Sequence, residues 1–94
     1  MNNKDDKFYL NIIYKLLNVL GPQWRLSYEH RNEQNRWFFL DVNSYTFASA
    51  LSSLELIESF IENTKYSFHK HLIPDFLKVS SIEELIVQLD LHCD

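Results

Sequence analysis

Glycine occurs once in these 94 residues, at Gly21, and proline twice. Loops that cradle phosphate groups need several glycines, because only a backbone without Cβ comes close enough to the ligand. Nucleotide-binding motifs of that type are therefore excluded. Cysteine also occurs once, at Cys93, so no internal disulfide framework exists and the fold must rest on its apolar core. A lone cysteine fits a reducing compartment. The opening MNNKDDKFYLNIIYKLL has its apolar stretch broken by Asn11 and Lys15, with no small-residue cleavage site after it. Neither a signal peptide nor a membrane span is expected, and a cytoplasmic location is the default.

Apolar residues make up 46% of the chain and aromatic residues 15%, which suffices for the core of a single compact domain over residues 1–94. The net charge is −4, unevenly spread. Residues 1–47 hold six Lys/Arg against five Asp/Glu, and residues 48–94 hold three Lys against eight Asp/Glu. An acidic chain is a poor general binder of phosphate backbones, so direct nucleic-acid binding is not expected.

Tyr9, Ile12, Ile13, Leu16, Leu17 and Leu20 recur at helical spacing. Asp5 and Asp6 can cap the start of that helix. Gly21 can take the left-handed conformation at its end, and Pro22 forbids continuation. Trp24, Leu26 and Tyr28 then alternate with Arg25, Ser27 and Glu29, the pattern of a strand with one wet face. RNEQN, from Arg31 to Asn35, is a polar loop of hairpin length, and RWFFLDV, from Arg36 to Val42, is the return strand. Asn43-Ser44 offers a turn. Tyr45 to Ala50 reads as a third short strand or as the lead-in to the next helix, with the strand preferred.

Two later segments begin alike, SSLELI from Ser52 and SSIEELI from Ser80. Ser52 stands three residues before Glu55, and Ser81 three before Glu84, the spacing of a capping box. The first helix should run to about Asn63 and bury Leu54, Ile57, Phe60 and Ile61. The second should run to about Leu91 and bury Ile82, Leu85, Ile86 and Leu89. Between them Lys65 to Leu72 is compatible with a strand, and Pro74 biases Ile73 toward extended backbone. The expected fold is α+β: a small antiparallel sheet, a hairpin plus one or two short strands, packed against two or three helices. The order of the first five elements is also that of double-stranded-RNA-binding domains. Those domains grip phosphates with a basic helix start, whereas SSLELIE carries no Lys or Arg before Lys65. No RNA-binding function is carried over, and no family is assigned.

RWFFLDV carries large apolar residues on both of its faces. In a strand, Trp37, Phe39 and Asp41 face one way and Phe38, Leu40 and Val42 the other. The second set has no polar member and is expected in the core. The first set then shares the outer face with Arg25, Ser27 and Glu29. Two large rings on an otherwise wet face suggest a contact surface. The bland alternative is that FHKHLIPDFL wraps over and covers them.

Other constellations carry less chemistry. Glu55, Glu58 and Glu62 form a carboxylate row along one helix side. It is either a solvated face or the feature of a nucleic-acid mimic that meets a basic partner. His69 and His71 would share a face if their segment were a strand, and His92, Cys93 and Asp94 are further donors. A closed metal site needs about four fixed ligands, so none is assigned. Cys93 lies at a chain end, and the serines cluster at helix starts where capping accounts for them. No catalytic set is seen.

The leading functional expectation is a small acidic non-enzymatic protein-binding module: an adaptor, an inhibitor or an immunity-type protein. Trp37, Phe39 and Arg25 would form its aromatic sheet face, with Glu55, Glu58 and Glu62 as further contact residues. Its partner would be another protein or a second copy of itself, with no cofactor and no membrane. The alternative is an acidic mimic that blocks a DNA- or RNA-handling protein. A small metal-binding protein or enzyme comes third.

Overall fold

The computed structural model describes residues 6–92. Helix α1 spans Asp6–Leu20, followed by strands β1 Arg25–Arg31, β2 Gln34–Leu40 and β3 Thr46–Ala50. Helix α2 spans Ser53–Tyr66, two single turns of 3₁₀ helix cover Lys70–Leu72 and Asp75–Leu77, and α3 spans Ile82–His92. The fold is α+β, a three-stranded antiparallel sheet in the order β1-β2-β3 packed against three helices.

Local chemistry sets the boundaries. α1 stops at Leu20 because Gly21 takes a φ of +111° while its N–H still reaches the Leu17 carbonyl at 2.9 Å. α2 starts where the Ser52 hydroxyl accepts the Glu55 N–H at 3.2 Å and donates to the Glu55 carboxylate at 3.0 Å. α3 starts the same way, with the Glu84 N–H on Ser81 Oγ at 3.1 Å. Its returning carboxylate accepts from the Ser80 N–H at 3.3 Å. Both expected caps are therefore present.

The hairpin is tighter than expected. Arg31 pairs with Gln34, so the loop is only Asn32 and Glu33, both at positive φ (52° and 65°). That is the signature of a type I′ turn, which suits the twist of paired strands. Each strand thus extends into RNEQN. The register places Leu26 opposite Phe39 and Tyr28 opposite Trp37. Leu26 therefore shares a face with Phe39, and the assignment of RWFFLDV faces is reversed. Phe39 is 1% exposed, in the core, while Phe38 and Leu40 lie half-buried on the opposite face, outside the core cluster. Val42, expected inside, is exposed beyond the strand end. Asp41, expected in water, is fully buried.

β3 forms as expected. An irregularity in its pairing, with Phe39 opposite Ala48 but Leu40 opposite Thr46, skips Phe47. Such a bulge re-aims a side chain, and the adjacent Phe47 and Ala48 are both buried. Helix α2 lies over β3 and β2, and α1 packs against α2 and α3. The Phe60 ring touches Phe39 at 5.2 Å and Phe47 at 5.3 Å, and Trp24 completes the cluster at 5.7 and 5.6 Å from the same two rings. Leu56, wholly buried, belongs to this core, and Leu54 sits at its margin.

No strand forms over residues 65–72. α2 continues to Tyr66, and the chain then makes a 3₁₀ turn at Lys70–Leu72. Tyr66 and Phe68 are 77% and 89% exposed, and it is Leu72 that packs against the core. The edge a strand would need is partly taken, because Asn63 Nδ2 donates to the Phe47 carbonyl of β3 at 2.8 Å. The following connector contributes Ile73, Leu77 and Val79 to the core that holds Phe39. It lines the helical side and leaves the other face of the sheet open.

Candidate protein-interaction surface

The open sheet face is built by alternation. Even residues of β2 and odd residues of β1 share it, since Ser27 pairs with Phe38 and Arg25 with Leu40. Arg36, Phe38 and Leu40 stand on β2, and Arg25, Ser27, Glu29 and Arg31 on β1. Ser49 of β3 lies opposite Phe38. Polar contacts order the margin. Arg25 donates to Ser44 Oγ at 2.8 Å, Ser27 Oγ donates to Glu29 at 3.1 Å, and Arg31 pairs with Glu29 at 2.6 Å. The Arg31 guanidinium also lies over the Phe38 ring, 5.5 Å from its centre. The apolar centre is thus Phe38 and Leu40, where sequence reasoning had placed Trp37 and Phe39.

Trp37 faces the helical side. It is half-buried against the core margin and lies tilted against Tyr28, with ring centres 4.2 Å apart. Phe39 is sealed in the core and is unable to touch a partner. Arg25 is exposed on the open face. Glu55, Glu58 and Glu62 are exposed on α2 and line a shallow hollow of about 390 Å³ together with Arg36, Ser49 and Leu51. The structure therefore joins the acidic row to the open sheet face around the β3 edge, with Arg36 between them. It does not bring the row to Trp37 or Phe39.

Asp41 ends β2. Its Oδ1 accepts the N–H groups of Asn43 at 2.8 Å and Tyr45 at 3.1 Å, holding the β2–β3 turn in which Ser44 has a φ of 64°. Its Oδ2 accepts no hydrogen bond, and His69 Nδ1 stands 3.9 Å away. His69 is stacked beneath Tyr45 at 5.6 Å, and the His71 ring is centred 6.3 Å from it. No cluster of three or more His, Cys, Asp or Glu with the geometry to hold a metal occurs among the described residues. His92 stacks on Phe76 at 3.8 Å, while Cys93 and Asp94 lie outside the described residues.

A second exposed aromatic group went unread in the sequence. Tyr45, Tyr66 and Phe68 are 61%, 77% and 89% exposed, with Phe68 edge-on to His69 at 5.3 Å. The signal was the interleaving of rings and basic residues in KYSFHKH. No family model, curated protein sequence or solved structure matches the chain at a significant level.

Proposed function

We propose that the protein is a non-enzymatic protein-binding module whose contact surface is the helix-free face of its sheet. The observation that carries this reading is the pair Phe38 and Leu40, half-buried, outside the core and framed by Arg25, Arg31 and Arg36. Interfaces have this composition: an apolar centre, arginine enrichment and a polar rim. The scaffold is compact and needs nothing beyond one such patch to serve as an adaptor, an inhibitor or an immunity-type protein. The partner is a protein in the cytoplasm, a setting that suits the lone cysteine.

The test is affinity capture from the source cell with wild type, Phe38→Thr and Leu40→Thr. Threonine keeps strand propensity while removing the apolar contact. The bound partner is lost with both variants while their far-ultraviolet spectra stay native. Undiminished capture by both natively folded variants removes the reading.

A second reading, the acidic mimic of a nucleic-acid backbone, rests on the exposure of Glu55, Glu58 and Glu62 beside one continuous hollow. Arg36 in that hollow offsets part of the charge, which is why this reading ranks lower. Under the mimic reading, reversing the three glutamates to lysine abolishes capture and binding weakens steeply with salt, while Phe38→Thr and Leu40→Thr leave it intact.

A further inference from the structure

Strand β1 is a sheet edge whose sequence is complementary to itself. Among the described residues β1 is paired with β2 alone. The two-residue loop makes Arg31 and Gln34 a hydrogen-bonded pair, and such pairs alternate along the ladder. The odd residues of β1 therefore direct their N–H and C=O groups toward β2. Those of Leu26, Tyr28 and His30 point outward, in search of water or another strand. The edge is seven residues long and has no proline and no bulge. Its inner flank is also open: α2 covers β2 and β3, Leu26 is only half-buried, and Tyr28 is 53% exposed.

We infer that two copies of the chain join β1 to β1 in antiparallel fashion about a two-fold axis at Ser27, forming one continuous six-stranded sheet. Charge selects this register. A two-fold axis normal to the sheet preserves its faces, so odd residues oppose odd ones. An axis at Tyr28 would pair the whole strand but set Arg25 against Arg31 of the second copy twice. An axis at Glu29 would set the two Glu29 carboxylates against each other. An axis at Leu26 or His30 would engage the outward groups of one residue only. The axis at Ser27 sets Arg25 opposite Glu29 twice on the outer face. It also sets Leu26 opposite Tyr28 twice on the inner face, covering the apolar flank that the helices leave open. Leu26 and Tyr28 are both outward-directed, so each such pair exchanges two backbone hydrogen bonds. The Arg25–Glu29 pairs fall at the closer, non-hydrogen-bonded positions, where side chains interact most strongly. Charge thus disfavours the axes at Tyr28 and Glu29, backbone pairing disfavours those at Leu26 and His30, and both favour the axis at Ser27.

This inference shares Arg25 and Arg31 with the rim of the face proposed above but uses neither Phe38 nor Leu40, so Phe38→Thr separates the two. The test is sedimentation equilibrium over a concentration series, with circular dichroism to confirm folding. Wild type sediments as a dimer at the upper end. Arg25→Glu and Glu29→Arg each weaken association by about tenfold or more, since two attractive pairs become repulsive. The double variant, with the charges exchanged, recovers wild-type association. In a Cys93→Ser background, Ser27→Cys oxidises to a disulfide-linked dimer, because Cα atoms about 4.5 Å apart across a non-hydrogen-bonded pair are within disulfide reach. Phe38→Thr leaves the dimer intact. A wild type that stays monomeric throughout the series overturns the inference. So does tighter association of Arg25→Glu, which would place the axis at Tyr28, or a failure of the charge exchange to restore binding.

Discussion

Truncating Phe39 and truncating Phe38 should have very different consequences, although the residues are adjacent and chemically identical. The Phe39 ring is 1% exposed and lies 5.7 Å from Trp24 and 5.2 Å from Phe60. Phe39→Ala opens a cavity among these rings and costs about 3–5 kcal/mol, the usual penalty for a buried aromatic. A domain of this size is stable by only about 5–15 kcal/mol, so the loss is a large share of the total. Phe38 is half-buried on the open face, and its ring contact is the Arg31 guanidinium at 5.5 Å. An exposed contact of that kind is worth about 0.5–1 kcal/mol, and with partial burial Phe38→Ala costs about 1–1.5 kcal/mol. Both changes replace Phe by Ala on the same central strand, so the loss of strand propensity cancels in the comparison. Urea denaturation with a common slope reads the two costs directly. Equal costs, or a larger cost for Phe38→Ala, would refute the assignment of faces.

Three further expectations concern the frame. Ser52→Ala and Ser81→Ala, which remove the acceptors for the Glu55 and Glu84 N–H groups, each lower stability by about 0.5–2 kcal/mol in the same assay; unchanged midpoints for both would sink the cap assignment. Glu33→Gly raises stability by about 0.5–1 kcal/mol, because glycine relieves the positive φ of 65° at a net gain after its unfolded-state entropy; a loss of stability would contradict the turn geometry. Asp41→Ala, which strips the acceptor from the Asn43 and Tyr45 N–H groups, costs about 2–4 kcal/mol and Asp41→Asn clearly less, as thermal melts compared across the set will report; an innocuous alanine would return Asp41 to the surface.

Helices α2 and α3 were legible in the sequence because capping boxes and apolar periodicity agree, and α1 because its periodicity ends at Gly21; its cap candidate Asp5 lies outside the described residues, and the Asp6 carboxylate accepts from Ser53 Oγ. The hairpin was legible as a hairpin but not in its register. Taking Arg31 to Asn35 as the loop puts Leu26 opposite Leu40, and so sends Phe38 and Leu40 into the core. The observed loop of Asn32 and Glu33 puts Leu26 opposite Phe39. A shift of one residue moves every side chain to the other face. The chain hid this shift because Glu33 occupies a position where glycine normally announces a type I′ turn. The apolar run from Trp37 to Leu40 gave no polar residue to break the tie, and Asp41 misled. Its charge suggests water, yet its carboxylate is consumed inside the β2–β3 turn. Lys65 to Leu72 reads like a strand by alternation alone, but Tyr66 and Phe68 stay largely exposed and are not buried against the core, a fact that depends on tertiary contacts. The candidate site inherited the reversal of faces, which rested on the polarity of Asp41: Arg25 and the glutamate row are exposed as read, whereas Phe39 is core and Trp37 faces the helical side.

The central claim is that the helix-free sheet face meets the partner. Hydroxyl-radical footprinting of the free protein and of the complex recovered by affinity capture tests it most directly. Phe38 and Leu40 should lose labelling in the complex while the exposed rings of Tyr14 and Phe68 keep theirs. Protection of Tyr14 or Phe68 with Phe38 and Leu40 still labelled would contradict the account.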